Sequence, residues 1–296
     1  MSPGRIRDFL RRLCRCSAPI LDLLSGLRRR FRDADLGINA AAVAYNAFLA
    51  LVPLGAAAFG VAAFIGGSEA ALDRVERTLI VLAPEGVVTF VTNLMVEAEE
   101  TVGGQQGWLI PVSVLLSVFL GARAVAALQK ALAHVENRTD ARPGLQLRLV
   151  AVVLTIGGGL ALLVTSLLLV GGRALIDFLT ELTGFGALDT IWAWLRIPVS
   201  ALGLYLFLLA FYHYGPPAPL PKAWLAALVA TGGTVLASLG FGLYLANSPS
   251  LGATFGVLGT VAVALVWLYL GAFVVLLGAV VVAYTLRWRV GDAGPS

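Results

Sequence analysis

Arg123 and Arg196 pose the sharpest chemical question in this sequence, because each stands inside an apolar run long enough to cross a bilayer. A guanidinium stays charged throughout the physiological pH range, and its planar fork fits two oxygens of a phosphate or carboxylate at once. At the bilayer centre such a charge costs about 2.5–3.5 kcal/mol on insertion scales, less where the side chain snorkels to an interface. No Asp or Glu lies within any of the apolar runs, so an acid partner inside the membrane is missing. The residues leave two readings. Either both arginines reach an interface, or they face an interior cavity and meet an anionic head group there. Asn46 is a third candidate for a substrate pathway. Thr155, Thr165, Ser166, Thr231, Thr234 and Ser238 are expected to hydrogen-bond between helices, at about 0.6 kcal/mol each.

Patterns for catalysis are missing. His134 and His213 are the only histidines, both near span ends, and neither falls in a metal or triad pattern. Cys14 and Cys16 cannot build a disulfide framework, and Cys-x-Cys without a nearby His is a poor metal site. There is no Walker motif, no Gly-x-Ser-x-Gly elbow and no pair of intramembrane Asp residues. The expectation is a protein that is not an enzyme and uses no catalytic residue, metal or cofactor.

The elements that must hold these residues follow from composition. Of 296 residues, 59% are apolar and only 13% charged. Soluble domains hold about 45–50% and about 25% respectively, so the chain reads as an integral membrane protein. A helix needs about 20 apolar residues to cross a hydrocarbon core of roughly 30 Å. Charges mark six such spans, at about 38–65, 108–131, 149–172, 190–212, 223–246 and 254–286. The last two come from one run of 64 uncharged residues, Ala223 to Leu286. As a single helix it would reach about 96 Å, so it must turn, and Asn247-Ser248-Pro249-Ser250 is where turn formers cluster. Outer-membrane barrel strands alternate over about ten residues, unlike these continuous runs. The fold class is therefore all-α: a polytopic membrane protein with six transmembrane helices in one domain, 36–286, followed by a tail, 287–296.

Six crossings put both termini on one side, and charge says which. The two ends and the 2–3 and 4–5 connections, counted with Arg123 and Lys130, hold 17 Arg or Lys and seven acids, against four and ten on the other side. Excess Lys and Arg marks the cytoplasmic face. Both ends are expected inside a bacterial cytoplasmic membrane, with no cleaved signal peptide. Residues 1–35 form an Arg-rich segment of two short amphipathic helices. In the first, Ile6, Phe9, Leu10 and Leu13 make the apolar stripe, and in the second Ile20, Leu23, Leu24, Leu27 and Phe31 do. Such helices either rest on the anionic inner leaflet or act as a plain topology signal, and nucleic acid is not an expected partner. Between spans 1 and 2, residues 66–107 read as an extracytoplasmic helical hairpin. Its stripes are Leu72, Val75, Leu79 and Leu82, then Val87, Val91, Leu94 and Met95 after Pro84.

Several ordered segments resemble the YihY/BrkB family of bacterial inner-membrane proteins. They are Ala41-Ala42-Val43-Ala44-Tyr45 with Pro53, Ala122-Arg123-Ala124, and Tyr212-His213-Tyr214-Gly215-Pro216. The closing region adds Gly240-Phe241-Gly242-Leu243-Tyr244, Ala253-Thr254-Phe255-Gly256, Trp267-Leu268-Tyr269 and Leu277-Gly278-Ala279. One departure stands out: members commonly carry Glu and Asn after the final Gly-Ala, where this chain has Val280-Val281-Val282. The resemblance implies six transmembrane helices, and links to serum resistance and, in one member, to tolerance of altered lipid export. The family's old ribonuclease label finds no acid–base or metal groups here to rest on.

The leading expectation is a transporter or flippase-like binder of an amphiphilic, anionic substrate such as a lipid. The rival is a non-transporting scaffold of the envelope. Membrane lipids are the expected partners. The Gly-rich helix faces, Gly157-Gly158-Gly159, Gly232-Gly233 and Gly252-x-x-x-Gly256, leave room for close helix contacts or an oligomer.

Overall fold

The computed structural model describes residues 35–66, 85–102, 108–135, 142–183, 187–220, 222–247 and 250–291. Nearly all of this is helix: α1 (Leu36–Gly66), α2 (Glu85–Val102), α3 (Leu109–Val135), α4 (Gly144–Thr183), α5 (Ala187–Tyr214), α6 (Ala223–Ala246) and α7 (Ser250–Gly291). No strand occurs among the described residues. All of these helices except α2 are long and apolar enough to cross a membrane, six in number as the charge-free runs require. The amphipathic stripes before Phe31 and the first stripe of the hairpin, Leu72 to Leu82, lie outside the described residues.

The spans are bounded where the sequence changes character. α6 is entered through Lys222 in the left-handed region (φ 57°), and α1 likewise through Asp35 (φ 44°). At its other end Asn247 closes α6, its backbone N–H and its side-chain amide both donating to the carbonyl of Leu243. Pro53 and Pro198 sit inside α1 and α5. Membrane helices tolerate such residues because neighbouring groups satisfy the freed carbonyls. α4 and α7 run to 40 and 42 residues, beyond the 22 and 26 residues of their apolar windows.

Packing closes the spanning helices into a circuit. α3 packs on α4, α4 on α5, α5 on α6 and α6 on α7, while α1 lies chiefly against α3 and also against α7. The end of the bundle at which α1 begins (the near end) also holds the ends of α3, α5 and α7 and the starts of α4 and α6.

One contiguous core occupies this near half. It joins Leu36 and Ala40 of α1, Ala131 and Leu132 of α3, Phe211 and Tyr212 of α5, Ala226, Ala227 and Ala230 of α6, and Ala272, Leu276 and Ala279 of α7. Alanine dominates because apolar burial does not drive helices together inside lipid; close backbone packing does. At Gly278 a Cβ would stand 3.0 Å from both the Ala226 carbonyl oxygen and the Ala230 methyl, so the α6–α7 crossing is tight enough to require glycine.

The far half packs less closely. The buried residues of α6 end at Thr231, and nothing from Gly232 to Asn247 is buried. In α3, Pro111, Val112, Val114 and Leu115 are all exposed near its start. Contacts persist between adjacent helices, as where Trp267 donates to the Ser238 hydroxyl at 3.1 Å.

α2 supplies a finding that periodicity did not. Its apolar face, with Val87, Val88, Phe90 and Met95 buried, does not sit above the bundle as a cap but lies alongside α1 and α7. Phe90 stacks on Phe48 with ring centroids 5.4 Å apart. Phe48 is twelve residues into the apolar span of α1, roughly 18 Å along it at 1.5 Å per residue. Further out, a Cβ on Gly55 would lie 3.3 Å from Leu94, and deeper, at the start of α2, one on Gly86 would lie 2.8 Å from Val263 of α7. The first turns of α2 therefore stand within the depth that α1 spans. A helix end at that depth is tolerable only where protein surrounds it or a wet cavity meets it.

Candidate functional site

The turn from α5 to α6 is the most heavily tied segment at the near end. Tyr212, fully buried, donates its hydroxyl proton to the Val275 carbonyl of α7 at 2.6 Å. Three residues on, the Gly215 N–H donates to the Phe211 carbonyl, and the Gly215 carbonyl accepts from Arg142 at 2.8 Å. A Cβ at Gly215 would come 2.5 Å from the Phe211 carbonyl oxygen, which accounts for glycine there. Gly215 and Pro216 are buried while Tyr214 is exposed, so this motif works as a clamp among α5, α7 and the segment leading into α4. Tyr269 stacks on Phe273, and its hydroxyl would lie 3.5 Å from a Cβ on Gly37, joining α7 to the start of α1.

The outward side of α3 carries a different chemistry. Val112, Leu116 and Phe119 are exposed at helical spacing, and the same stripe continues through Arg123, Lys130 and His134, also exposed. The opposite side of the helix buries Ala122, Gln129, Leu132 and Ala133. Arg123 stands eleven residues, about 16 Å, above His134 at the end of the span. α1 and α3 contain no Asp or Glu, so this basic stripe has no carboxylate from either helix.

The two arginines do not share a helix pair. Arg123 is on α3 and Arg196 on α5, with α4 between them in the circuit. Arg196 is exposed, flanked by the exposed Trp194 and Ile197, six residues from the far end of its span. Asn46 turns its amide back on its own helix, donating to the Ala42 carbonyl at 2.8 Å. Among the other motif positions, Tyr45 and Tyr244 are exposed and Pro53 is buried, while Trp267 and Gly278 hold α6 to α7. Gly256 lies in the first turns of α7.

Two residues carry more than the sequence suggested. Tyr212 lay inside the quoted motif, yet only a contact 63 positions away reveals its bond. Gln129, to which the sequence drew no attention, is 1% exposed. Among the described residues no three His, Cys, Asp or Glu side chains come together as a metal site would need.

Comparison with known proteins decides the family. Residues 27–294 match the family described as "Virulence factor BrkB". The chain belongs to the BrkB family. Similar proteins include a UPF0761 membrane protein of Delftia acidovorans, 30% identical over 273 residues, covering 87% of this chain and 60% of that protein. A UPF0761 membrane protein of Aeromonas salmonicida is 29% identical over 260 residues, 84% of each chain. YfkH of Bacillus subtilis, ribonuclease-like by name, is 26% identical over 199 residues, 66% of this chain and 71% of that one. The BrkB chain spans about three-fifths of the length of the Delftia relative and of a similar one from Methylibium petroleiphilum. No solved structure matches it. In BrkB terms, the near-end clamp and the Gly278 crossing are the ordered motif segments brought into contact, and the resemblance read from them is borne out.

Proposed function

We propose that this BrkB protein is a non-enzymatic binder and carrier of an anionic amphiphile, seated along the outward face of α3. One observation carries the reading: that face passes from Val112, Leu116 and Phe119 to Arg123, Lys130 and His134 without a carboxylate. The apolar residues line the far half of the span and the basic groups run from mid-span, at Arg123, to the near surface, at His134, the path of a phosphate moving between the bilayer centre and the near leaflet. Arg123 offers the phosphate a bidentate, charge-assisted contact, and Lys130 adds a second cation two helical turns away. Packing that is dense in the near half and looser in the far half is compatible with helices that separate to let a head group pass. The Lys and Arg bias supports a cytoplasmic near end, with both termini on that side of a bacterial inner membrane.

Proteoliposomes containing phosphatidylglycerol test this directly. The full chain should accelerate movement of a fluorescent phosphatidylglycerol across the bilayer, and native mass spectrometry should find that lipid retained. Arg123→Ala should weaken retention about tenfold, the effect of losing a charge-assisted hydrogen bond of about 1.5 kcal/mol. Movement equal to that in protein-free vesicles, together with no retained anionic lipid, would overturn the proposal.

A further inference from the structure

Gly86–Glu97 of α2 is an apolar helix too short to cross a membrane. Apolar stretches of that size belong to buried or re-entrant segments. Three contacts fix how it lies: Gly86 presses on Val263 of α7, Phe90 stacks on Phe48 of α1, and Leu94 presses on Gly55. From Phe90 to Leu94 the α1 partner moves from Phe48 to Gly55, so α2 runs in the same direction as α1 and starts at its deep end. Val263 stands 13 residues, about 20 Å, along α7 from Ser250, where that helix leaves the α6–α7 turn. The start of α2 therefore lies well inside a hydrocarbon layer roughly 30 Å thick.

The side of α2 turned away from α1 and α7 is polar. Thr89, Asn93, Val96 and Glu97 are exposed there, at the i, i+4, i+7 and i+8 spacing of one helix face. Among the described residues of α2, Val96 is the only large apolar side chain exposed. The spanning helices differ. α4 turns out Val153, Ile156, Leu160 and Leu163, a side that suits acyl chains. A carboxamide facing acyl chains finds no hydrogen-bond partner, and polar residues at such depth face a bundle interior or a water-filled cavity. A helix that begins inside the bilayer makes the same demand, because its first N–H groups have no partner within the helix.

We propose that α2 is a re-entrant helix lining a water-filled entrance, which opens beside Glu97 and descends past Asn93 and Thr89 toward Gly86. Its occupant is water, admitted from the end of the bundle that holds the α6–α7 turn. This entrance is separate from the basic stripe of α3, and neither depends on the other.

Thiol reactivity tests it on the full chain, with Cys14→Ser and Cys16→Ser as background. Thr89→Cys, Asn93→Cys and Glu97→Cys are introduced singly, and Leu160→Cys, on the exposed apolar side of α4, is the reference. The thiolate is the reacting form, and an apolar setting suppresses it. In membrane vesicles a charged, membrane-impermeant methanethiosulfonate should modify Thr89→Cys and Asn93→Cys about tenfold or more faster than Leu160→Cys. It should do so from the same face of the membrane as Glu97→Cys, whichever way the chain is oriented. Full labelling of each denatured variant verifies that its thiol is intact. Thr89 and Asn93 are read separately, so either variant suffices should the other fail to fold. Rates no faster than that of Leu160→Cys would assign this side of α2 to lipid and overturn the proposal. Oxidative crosslinking of Thr89→Cys or Asn93→Cys between two chains would assign it to a dimer contact and overturn it equally.

Discussion

The Tyr212 hydroxyl reaches the main chain of Val275, 2.6 Å away and 63 positions later, and so pins the end of α5 to the middle of α7. Both groups are buried, and the α5–α6 turn that follows is held again by Arg142 on the Gly215 carbonyl. The near end is thus stitched across the circuit as well as around it.

Removing that stitch should be measurable. Tyr212→Phe keeps the ring and deletes one buried donor, at a cost of about 1–2 kcal/mol. A thermal scan in detergent should show a lower midpoint. An unchanged midpoint would mean the bond carries no stability.

The α6–α7 crossing gives a paired test. Gly278→Ala puts a methyl 3.0 Å from the Ala226 carbonyl oxygen and from the Ala230 methyl, so overpacking should cost about 1–3 kcal/mol. Gly271→Ala, seven residues earlier on the same helix, meets nothing within 4 Å. It should be neutral, or stabilising by up to about 1 kcal/mol through helix propensity. Equal effects in the two variants would refute the close approach.

Phe90 anchors α2 against Phe48. Phe90→Ala should cost about 3–5 kcal/mol if the ring is as buried as its 6% exposure indicates. Limited proteolysis should then cut within α2 before it cuts the spanning helices. A wild-type digestion pattern would show that the stack does not hold α2 in place.

Sidedness can be read from thiols already present. Cys14 and Cys16 precede α1, and the proposed orientation, argued from the Arg and Lys bias, has them inside. A membrane-impermeant maleimide should leave them unlabelled in intact cells and label them in inverted vesicles. Labelling in intact cells would invert the assignment.

The spanning helices were legible because length and apolarity are the requirement itself: a run such as Ala223 to Ala246 has no other use in a chain of this kind. The turn at Asn247 was legible for the same reason, since 64 residues without a charge cannot be one crossing. The position of α2 was not. Its stripe of Val87, Val91, Leu94 and Met95 has the same period whether it faces the other helix of a hairpin or the side of α1. Gln129 was hidden by its neighbour Lys130, because adjacent residues on a helix point about 100° apart and one exposed residue says nothing of the next. Arg123 and Arg196 stood out because each interrupts an apolar run, but nothing in a linear sequence could tell that α4 separates them.

α4 stretches through 40 residues, but Arg173, Asp177 and Glu181 punctuate it beyond Gly172, so its uncharged stretch, 149–172, rises about 35 Å. Ordinary hydrocarbon is roughly 30 Å deep, so lipids beside this helix must stand taller or the helix must lean. A membrane of different thickness therefore changes the posture of α4, and with it the spacing of α3 and α5 on either flank. The bilayer is one of the parts that sets the geometry of this protein.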